Sequence, residues 1–385
     1  MRRTFKFSRL ALAIAAGAVC ATGTGFAQAQ TVIKLGHVAP LTGNQAHLGK
    51  DNENGARLAI EDLNERKLKI GGQDVKFELL PEDDAADPKQ GTAVAQKLVD
   101  AKVAGVIGHL NSGTTIPASK IYSEAGIPQI SPSATNPKYT LQGYKTAFRV
   151  VANDGQLGGT LGRYAVKELK GKAIAIIDDR TAYGQGVADE FEKSVKAAGG
   201  KLVGREFTND KATDFAAILT KLKGGKPDVV FFGGMDAVAG PMLRQMKQLG
   251  VKAKFMGGDG ICTAELAKLA GDSMGDDQVV CAEAGGVTAK QEKGLEDFKA
   301  RFKQKFNAEV QIYAPYVYDA TMVMAAAMQK ANSADPGKYL PELAKISYSG
   351  VTGTIAFDAK GDIKDGTLTL FTYKKGQREK IAVVR

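Results

Sequence analysis

The sequence predicts an α/β protein built from two doubly wound open-sheet units. Short apolar runs alternate with longer amphipathic stretches along most of the 385 residues, which is typical of parallel strands alternating with helices. The runs at 174–177 and 229–232 are apolar at every position, as strands buried on both faces require. The alternation breaks near Asp154 and then resumes, so the chain repeats the pattern in a second unit of similar size.

The first unit is predicted to begin with a strand and to contain three β-α repeats. A helix at 54–66 has an apolar stripe at helical spacing, and Asp87 followed by Pro88 is the typical cap and first turn of the next helix. A further helix is predicted at 114–125. The strands of this unit are predicted at 32–38, 75–80, 103–107 and 128–130.

The second unit is predicted to repeat this order, and no low-complexity linker separates the two. Its strands are predicted at 173–177, 202–207, 229–232, 254–256 and 279–282. Its helices are predicted at 157–169, 187–198, 215–222, 238–249 and 264–269. Helices at 295–306, 320–331 and 339–346 follow, and β-rich pieces around 353–357, 368–373 and 381–384 close the chain.

Residues 1–29 have the composition of a secretory signal peptide. Four basic residues lie among the first nine, an apolar run covers 10–19, and an A-x-A site ends at Ala29, after which cleavage is expected. An uncleaved anchor is the alternative, although the apolar run is about half of a bilayer span. Lipidation of Cys20 is a second alternative, disfavoured by Val19 before it. The mature protein is therefore expected in the periplasm.

Two cysteines, Cys262 and Cys281, remain after cleavage of the signal peptide. An even number of cysteines in an oxidising compartment predicts a disulfide between them. Two buried free thiols are the alternative.

Composition and motifs argue against several functional classes. Apolar residues are 44% and charged residues 24%, which excludes a disordered or fibrous chain. The formal charge is +10, but there is no Trp and aromatic residues are only 7%, so nucleic-acid binding is disfavoured. The chain has three His and lacks the sequence motifs of metal sites, phosphate-binding loops and catalytic nucleophiles. We therefore predict that the protein has neither a bound metal nor a cofactor nor a catalytic residue.

Polar segments follow two of the predicted strands in the first unit. Segment 108–115 carries Ser and Thr and opens a helix, so its hydroxyls and free backbone N–H groups suit an anion such as a carboxylate. Open α/β sheets bind ligands at this edge. Plain N-capping of the helix by Ser112 is the alternative. Segment 131–137 offers further hydroxyls after the next strand.

Five segments, taken together, resemble the leucine/isoleucine/valine-binding proteins of bacterial ABC importers, in order and spacing from about residue 31 to near the C-terminus. They are Asp87-Pro88-Lys89-Gln90, 106–110 with its Ser/Thr run, 131–135, 183–186 and 255–257.

The resemblance implies a type I periplasmic binding fold, in which two α/β lobes are joined by three crossovers and close on an amino acid. The N-terminal lobe would comprise 30–153 plus 283–366, and the C-terminal lobe 154–282 plus 367–385. The implied function is capture of a branched-chain or related apolar amino acid. A monomer would deliver it to the permease and ATPase subunits of an importer.

The resemblance also implies which residues hold the ligand. Ser112, Ser133 and Thr135 would bind the α-carboxylate, and Thr135 would also help to hold the α-ammonium. Asp154 and Tyr183 would contact the ligand from the second lobe.

Asp259 stands where the family places a glutamate that neutralises the α-ammonium. Met235 and Leu48 stand where relatives carry aromatic residues, so the side-chain pocket differs there. Tyr313 and His47 would lie near the pocket, but they are not among the predicted site residues.

Each assignment has a structural alternative. Tyr183 could be a surface turn residue, Asp154 a helix cap and Met235 a core residue. The function also has alternatives: an extracytoplasmic enzyme on the same lobes, or a sensor or carrier for an aromatic acid or other amide-like solute.

Overall fold

The computed structural model describes Met1 and residues 30–287 and 289–384. Apart from Met1, the predicted signal peptide and Cys20 lie outside the described residues. Across these described ranges, no helix combines the length and the apolar character needed to cross a membrane.

Strands and helices alternate as the sequence predicts. The strands are β1 (Thr31–Ala39), β2 (Lys69–Ile70), β3 (Gln73–Asp83), β4 (Gly105–Gly108), β5 (Gln129–Ser131), β6 (Ala147–Arg149), β7 (Ile174–Asp178), β8 (Leu202–Phe207), β9 (Val229–Gly233), β10 (Lys254–Gly257), β11 (Val279–Glu283), β12 (Ser347–Gly350), β13 (Gly353–Ala356), β14 (Leu368–Lys374) and β15 (Gln377–Val384). The helices are α1 (Ala46–Glu65), α2 (Pro88–Asp100), α3 (Ser112–Glu124), α4 (Lys138–Leu141), α5 (Asp154–Lys167), α6 (Ala182–Ala197), α7 (Ala216–Gly224), α8 (Asp236–Gln248), α9 (Ala264–Ala270), α10 (Ala289–Phe306), α11 (Ala314–Lys330) and α12 (Pro336–Ala344).

Two large sheets organise these elements. The first has the order β2-β3-β1-β4-β5-β6 and is parallel except for β2. The second has the order β15-β14-β11-β10-β9-β7-β8, and only β14 and β15 run antiparallel to their neighbours. The chain enters each sheet at an interior strand, β1 or β7, and adds strands on both sides of it, which confirms the predicted doubly wound α/β fold.

The chain passes between the two sheets more than once. After β11 of the second sheet it returns to the first, where α11 packs against α1 and against β4 and β5. Nearly all of α11 is buried, and its sequence is apolar on most faces, as a central helix requires. The chain then returns to the second sheet as β14 and β15. We call the first sheet with α1–α4 and α10–α12 the first unit, and the second sheet with α5–α9 the second unit.

This arrangement is the one that the predicted lobes require, and their boundaries near residues 153, 283 and 366 stay a prediction. The Cys262–Cys281 disulfide is confirmed, with the two Cα atoms 5.4 Å apart. It joins the segment after β10 to the neighbouring strand β11.

The sequence missed the two-residue strand β2, the strand β6, the short helix α4 and the hairpin strand β12. In β6 the reason is Arg149, which interrupts an apolar run and is nevertheless fully buried. Its charge is balanced by Asp362, whose Oδ1 lies 2.6 Å from Arg149 Nη2, and that partner is far away in the sequence. Local hydrophobicity therefore gives no sign of this strand.

Candidate functional site

The predicted site residues lie at the carboxyl ends of parallel strands and at the beginnings of the helices that follow. Ser112 begins α3 after β4, and Ser133 and Thr135 lie in the loop after β5. In the second unit, Tyr183 follows β7, Met235 follows β9 and Asp259 follows β10. Asp154 begins α5.

On the side of the first unit, the site is lined by buried hydroxyls. Ser112 Oγ accepts a hydrogen bond from the backbone N–H of Asn136 at 3.2 Å, while the cap position of α3 is Asn111, whose side chain makes no cap hydrogen bond. The alternative that Ser112 caps the helix is therefore wrong. The hydroxyls of Ser133 and Thr135 are buried and have no hydrogen-bond partner within the described residues.

Arg149 holds the loop that carries these hydroxyls. Its guanidinium donates to the carbonyl of Ala134 at 3.1 Å and to that of Asn136 at 2.9 Å, while Asp362 balances the charge. Arg149 thus fixes the backbone on both sides of Thr135. Sequence reasoning missed this residue, and the only local signal was a single arginine inside an otherwise apolar stretch.

Asp154 is a buried carboxyl group without a fixed partner. The cap of α5 is Asn153, which forms a reciprocal capping box with Gln156, so the alternative that Asp154 is the cap is wrong. Neither carboxyl oxygen of Asp154 is hydrogen-bonded to any residue that the structure describes. Burial raises its pKa to about 8; the neighbouring Thr135 hydroxyl acts against this shift, and the negative charge of Asp259 acts with it.

Asp259 is also fully buried, but it is held by two tyrosines. Tyr183 donates its hydroxyl hydrogen to Oδ1 at 2.8 Å, and Tyr313 donates to Oδ2 at 2.9 Å. The Tyr183 hydroxyl in turn accepts from the backbone N–H of Gly260 at 3.0 Å. Burial raises the pKa of Asp259 to about 6, even though both tyrosine hydroxyls favour the charged form. Tyr183 is 7% exposed, so the alternative of a surface turn is wrong.

Tyr313 connects the two units at this point. It precedes α11 of the first unit, whereas Asp259 belongs to the second. A second hydrogen bond between the units is donated by the Asn136 side-chain amide to the Ala182 carbonyl oxygen at 2.6 Å. Both contacts join the two units beside the candidate site residues.

Met235 and Leu48 lie among buried apolar side chains. A methyl group on Gly260 would come within 2.8 Å of the Met235 sulfur and equally close to the Tyr183 ring, so these three residues are neighbours. Leu48 is fully buried in α1 and belongs to the same apolar cluster as Tyr183 and Met235. Met235 is therefore both a core residue and a neighbour of the polar site.

The two units offer groups of opposite electrostatic preference to the candidate site. The first unit offers hydroxyls and the beginning of α3, which suit a carboxylate, and the second unit offers two carboxyl groups, which suit a cation. Within the described ranges, no group of three or more His, Cys, Asp or Glu residues could hold a metal ion.

The comparisons with known proteins agree with this geometry. The sequence profile of a family described as "Periplasmic binding protein" matches residues 32–378. The chain belongs to the periplasmic binding protein family. Together with the relatives and the solved structure described next, this match confirms the family resemblance and the type I fold expected from the sequence.

Two relatives match over almost their whole length. The "Leu/Ile/Val-binding protein homolog 1" of Brucella abortus is 39% identical over 377 residues, which cover 98% of this chain and 97% of the relative. The "Leucine-, isoleucine-, valine-, threonine-, and alanine-binding protein" of Pseudomonas aeruginosa is 36% identical and covers 97% of both chains.

A solved structure shows the same fold. The branched-chain amino acid transporter substrate binding protein LivJ from Streptococcus pneumoniae, crystallised in complex with isoleucine, superposes with a TM-score of 0.82. It is 27% identical, and the match covers 92% of this chain and 99% of that chain.

Proposed function

We propose that the chain is the solute-binding protein of an ABC importer. It captures a branched-chain or related apolar amino acid in the periplasm and delivers it, as a monomer, to the permease and ATPase subunits. The observation that carries this proposal is the two-sided polarity of the buried site, where unpartnered hydroxyls lie on one unit and buried carboxyl groups on the other. The names of the two relatives and the isoleucine bound to LivJ support the choice of ligand.

A zwitterionic amino acid satisfies both sides of this site at once. Its carboxylate would accept from Ser112, Ser133 and Thr135, two of which have buried hydroxyls without partners among the described residues. Unpaired buried polar groups are costly, so a ligand that supplies the missing hydrogen bonds gains that free energy on binding.

The ammonium group of the ligand would lie against the second unit. Asp259 would neutralise it, held in place by its two tyrosines, and Asp154 would contact the ligand from the same unit. The apolar side chain of the ligand would pack toward Met235 and Leu48.

Capture works by closure of the two lobes, because the ligand contacts both lobes only in the closed state. A ligand that binds one state better than the other shifts their populations. Hinge closure of this kind is general for periplasmic binding proteins. The contacts Tyr313–Asp259 and Asn136–Ala182 cross between the units and would break on opening.

A thermal-shift screen against all amino acids and simple organic acids tests the proposal. A ligand present at 100 times its Kd should raise the free energy of unfolding by about 2.7 kcal/mol, and leucine, isoleucine or valine should do so. Small-angle scattering with that ligand should show a smaller radius of gyration. Stabilisation by aromatic acids alone would favour the alternative carrier or sensor, and turnover of the ligand would favour an enzyme.

A further inference from the structure

A third contact between the two units is made by residues that are not among the predicted site residues but directly adjoin two of them, Leu48 and Met235. The His47 ring nitrogen Nε2 is 2.8 Å from Asp236 Oδ2, and the Thr263 hydroxyl donates to the same oxygen at 2.6 Å. His47 belongs to α1, which packs on the first sheet, whereas Asp236 begins α8 and Thr263 caps α9 of the second unit. The His47–Asp236 hydrogen bond is thus a direct bond between the units.

The two partners differ in their access to water. Asp236 is fully buried, and its Oδ1 has no hydrogen-bond partner among the residues that the structure describes. The His47 side chain is 24% exposed, so its imidazole can exchange protons with solvent. The other two histidines, His37 and His109, are fully buried.

The largest charge effects on His47 come from carboxylates. Burial, the largest single cause, would lower its pKa, and the hydrogen bond and charge of Asp236 act against this effect. Glu265 in the first turn of α9 and Asp51 on α1 add to the negative field, so the pKa of His47 is raised above its ordinary value. In the open state, without Asp236 beside it, the imidazole would lose the largest part of this stabilisation.

We propose that His47 is a positioning residue for ligand capture: its bond to Asp236 latches α1 to α8 in the closed state, and protonation of the imidazole tightens the latch. This rests on the proposed function, because the latch acts only if closure binds the ligand. His47 does not contact the ligand in this scheme. It sets affinity by stabilising the closed state.

The sign of the pH effect follows from proton linkage. Since the closed state holds the proton more tightly, the contribution of the latch is complete below the ordinary His pKa of about 6.5 and is lost as pH rises through the raised value. Asp259 titrates in an overlapping range and favours ammonium binding when ionised, so it acts in the opposite direction. The test therefore compares variants rather than reading one curve.

The experiment measures the Kd of leucine by calorimetry at about pH 6 and about pH 8 for the wild type, His47→Gln and Lys50→Gln. Lys50 lies one turn further along the same helix, is 63% exposed and pairs with Glu53 instead of Asp236. Lys50→Gln therefore removes a positive charge from this helix without removing the contact between the units. The latch tightens binding at the lower pH, so the ratio of the Kd at about pH 8 to the Kd at about pH 6 should be about fivefold larger in the wild type than in His47→Gln. A factor of this size is the scale of a single partly screened ion pair. Lys50→Gln should match the wild type.

A second measurement covers the case in which His47→Gln folds poorly. By NMR, the pKa of the His47 imidazole in the wild type should be higher with saturating leucine than without it. Two results would overturn the latch but not the proposed function, provided that leucine binds normally. One is the same ratio of Kd values between the two pH values in all three proteins, and the other is a His47 pKa that is the same with and without leucine. Absence of binding by leucine, isoleucine and valine overturns the proposed function and the latch with it.

Discussion

Replacement of Asp259 by Asn tests the charge logic of the site most directly. The substitution keeps the shape and one oxygen acceptor for Tyr183 or Tyr313, but it removes the charge that would face the ligand ammonium. Because Asp259 is fully buried, little water is available to replace that charge.

The expected loss of affinity follows from this burial. Removing one partner of a buried ion pair costs about 3–5 kcal/mol, which corresponds to an increase in Kd of roughly two to four decades. The loss should appear for any zwitterionic amino acid, because the ammonium group is common to all of them.

Although Asp259→Asn should weaken ligand binding, it should not weaken the ligand-free fold. The pKa of Asp259 is raised from 3.8 to about 6 in the folded state, so ionisation of this group costs stability, and that cost is fully present above about pH 6. At pH 7 the cost is of the order of 3 kcal/mol, and Asp259→Asn removes up to about that amount. The melting temperature without ligand should therefore stay equal or rise.

Calorimetry with leucine, together with thermal unfolding of the ligand-free protein, measures both effects. Asp272→Asn is the control, since Asp272 is an exposed aspartate of the second unit. A Kd that stays within threefold of the wild type would show that Asp259 does not face the ligand charge. A fall in affinity accompanied by an equal fall in ligand-free stability would indicate a purely structural role.

Two further predictions concern the supports of the site. Alkylation under non-reducing conditions should find no free thiol in the mature chain, and two alkylated cysteines would contradict the pairing. Replacing both Cys262 and Cys281 by Ser should lower the free energy of unfolding by about 3 kcal/mol. Asp362→Ala should cost about 3–5 kcal/mol in urea unfolding, because it leaves the buried Arg149 charge uncompensated. Asp365→Ala, an exposed change in the same segment, is the control, and equal losses in both variants would refute this reasoning.

The sequence was sufficient wherever the physical cause is local. The cap of α2 is where it was predicted, with the Asp87 side chain accepting from the N–H groups of Lys89 and Gln90. The fully apolar run at 174–177 became β7, because a strand covered on both faces has no polar side to present. The family resemblance predicts that Ser112, Tyr183 and Asp259 are site residues, and the structure brings Tyr183 and Asp259 into direct contact.

Contacts between distant residues could be found only in the tertiary structure. Tyr313 reaches Asp259 over 54 residues, and His47 reaches Asp236 over 189. No periodicity or spacing encodes such pairs.

The sequence by itself determined most of the α/β elements, their order and the residue types at the strand ends. The tertiary structure decided which of those residues face one another and in what state of charge. The physical reason is that the free energy of a buried carboxylate such as Asp154 or Asp259 depends on the groups around it in space. Those groups are chosen by the order of the strands in the two sheets and by the returns of the chain between them.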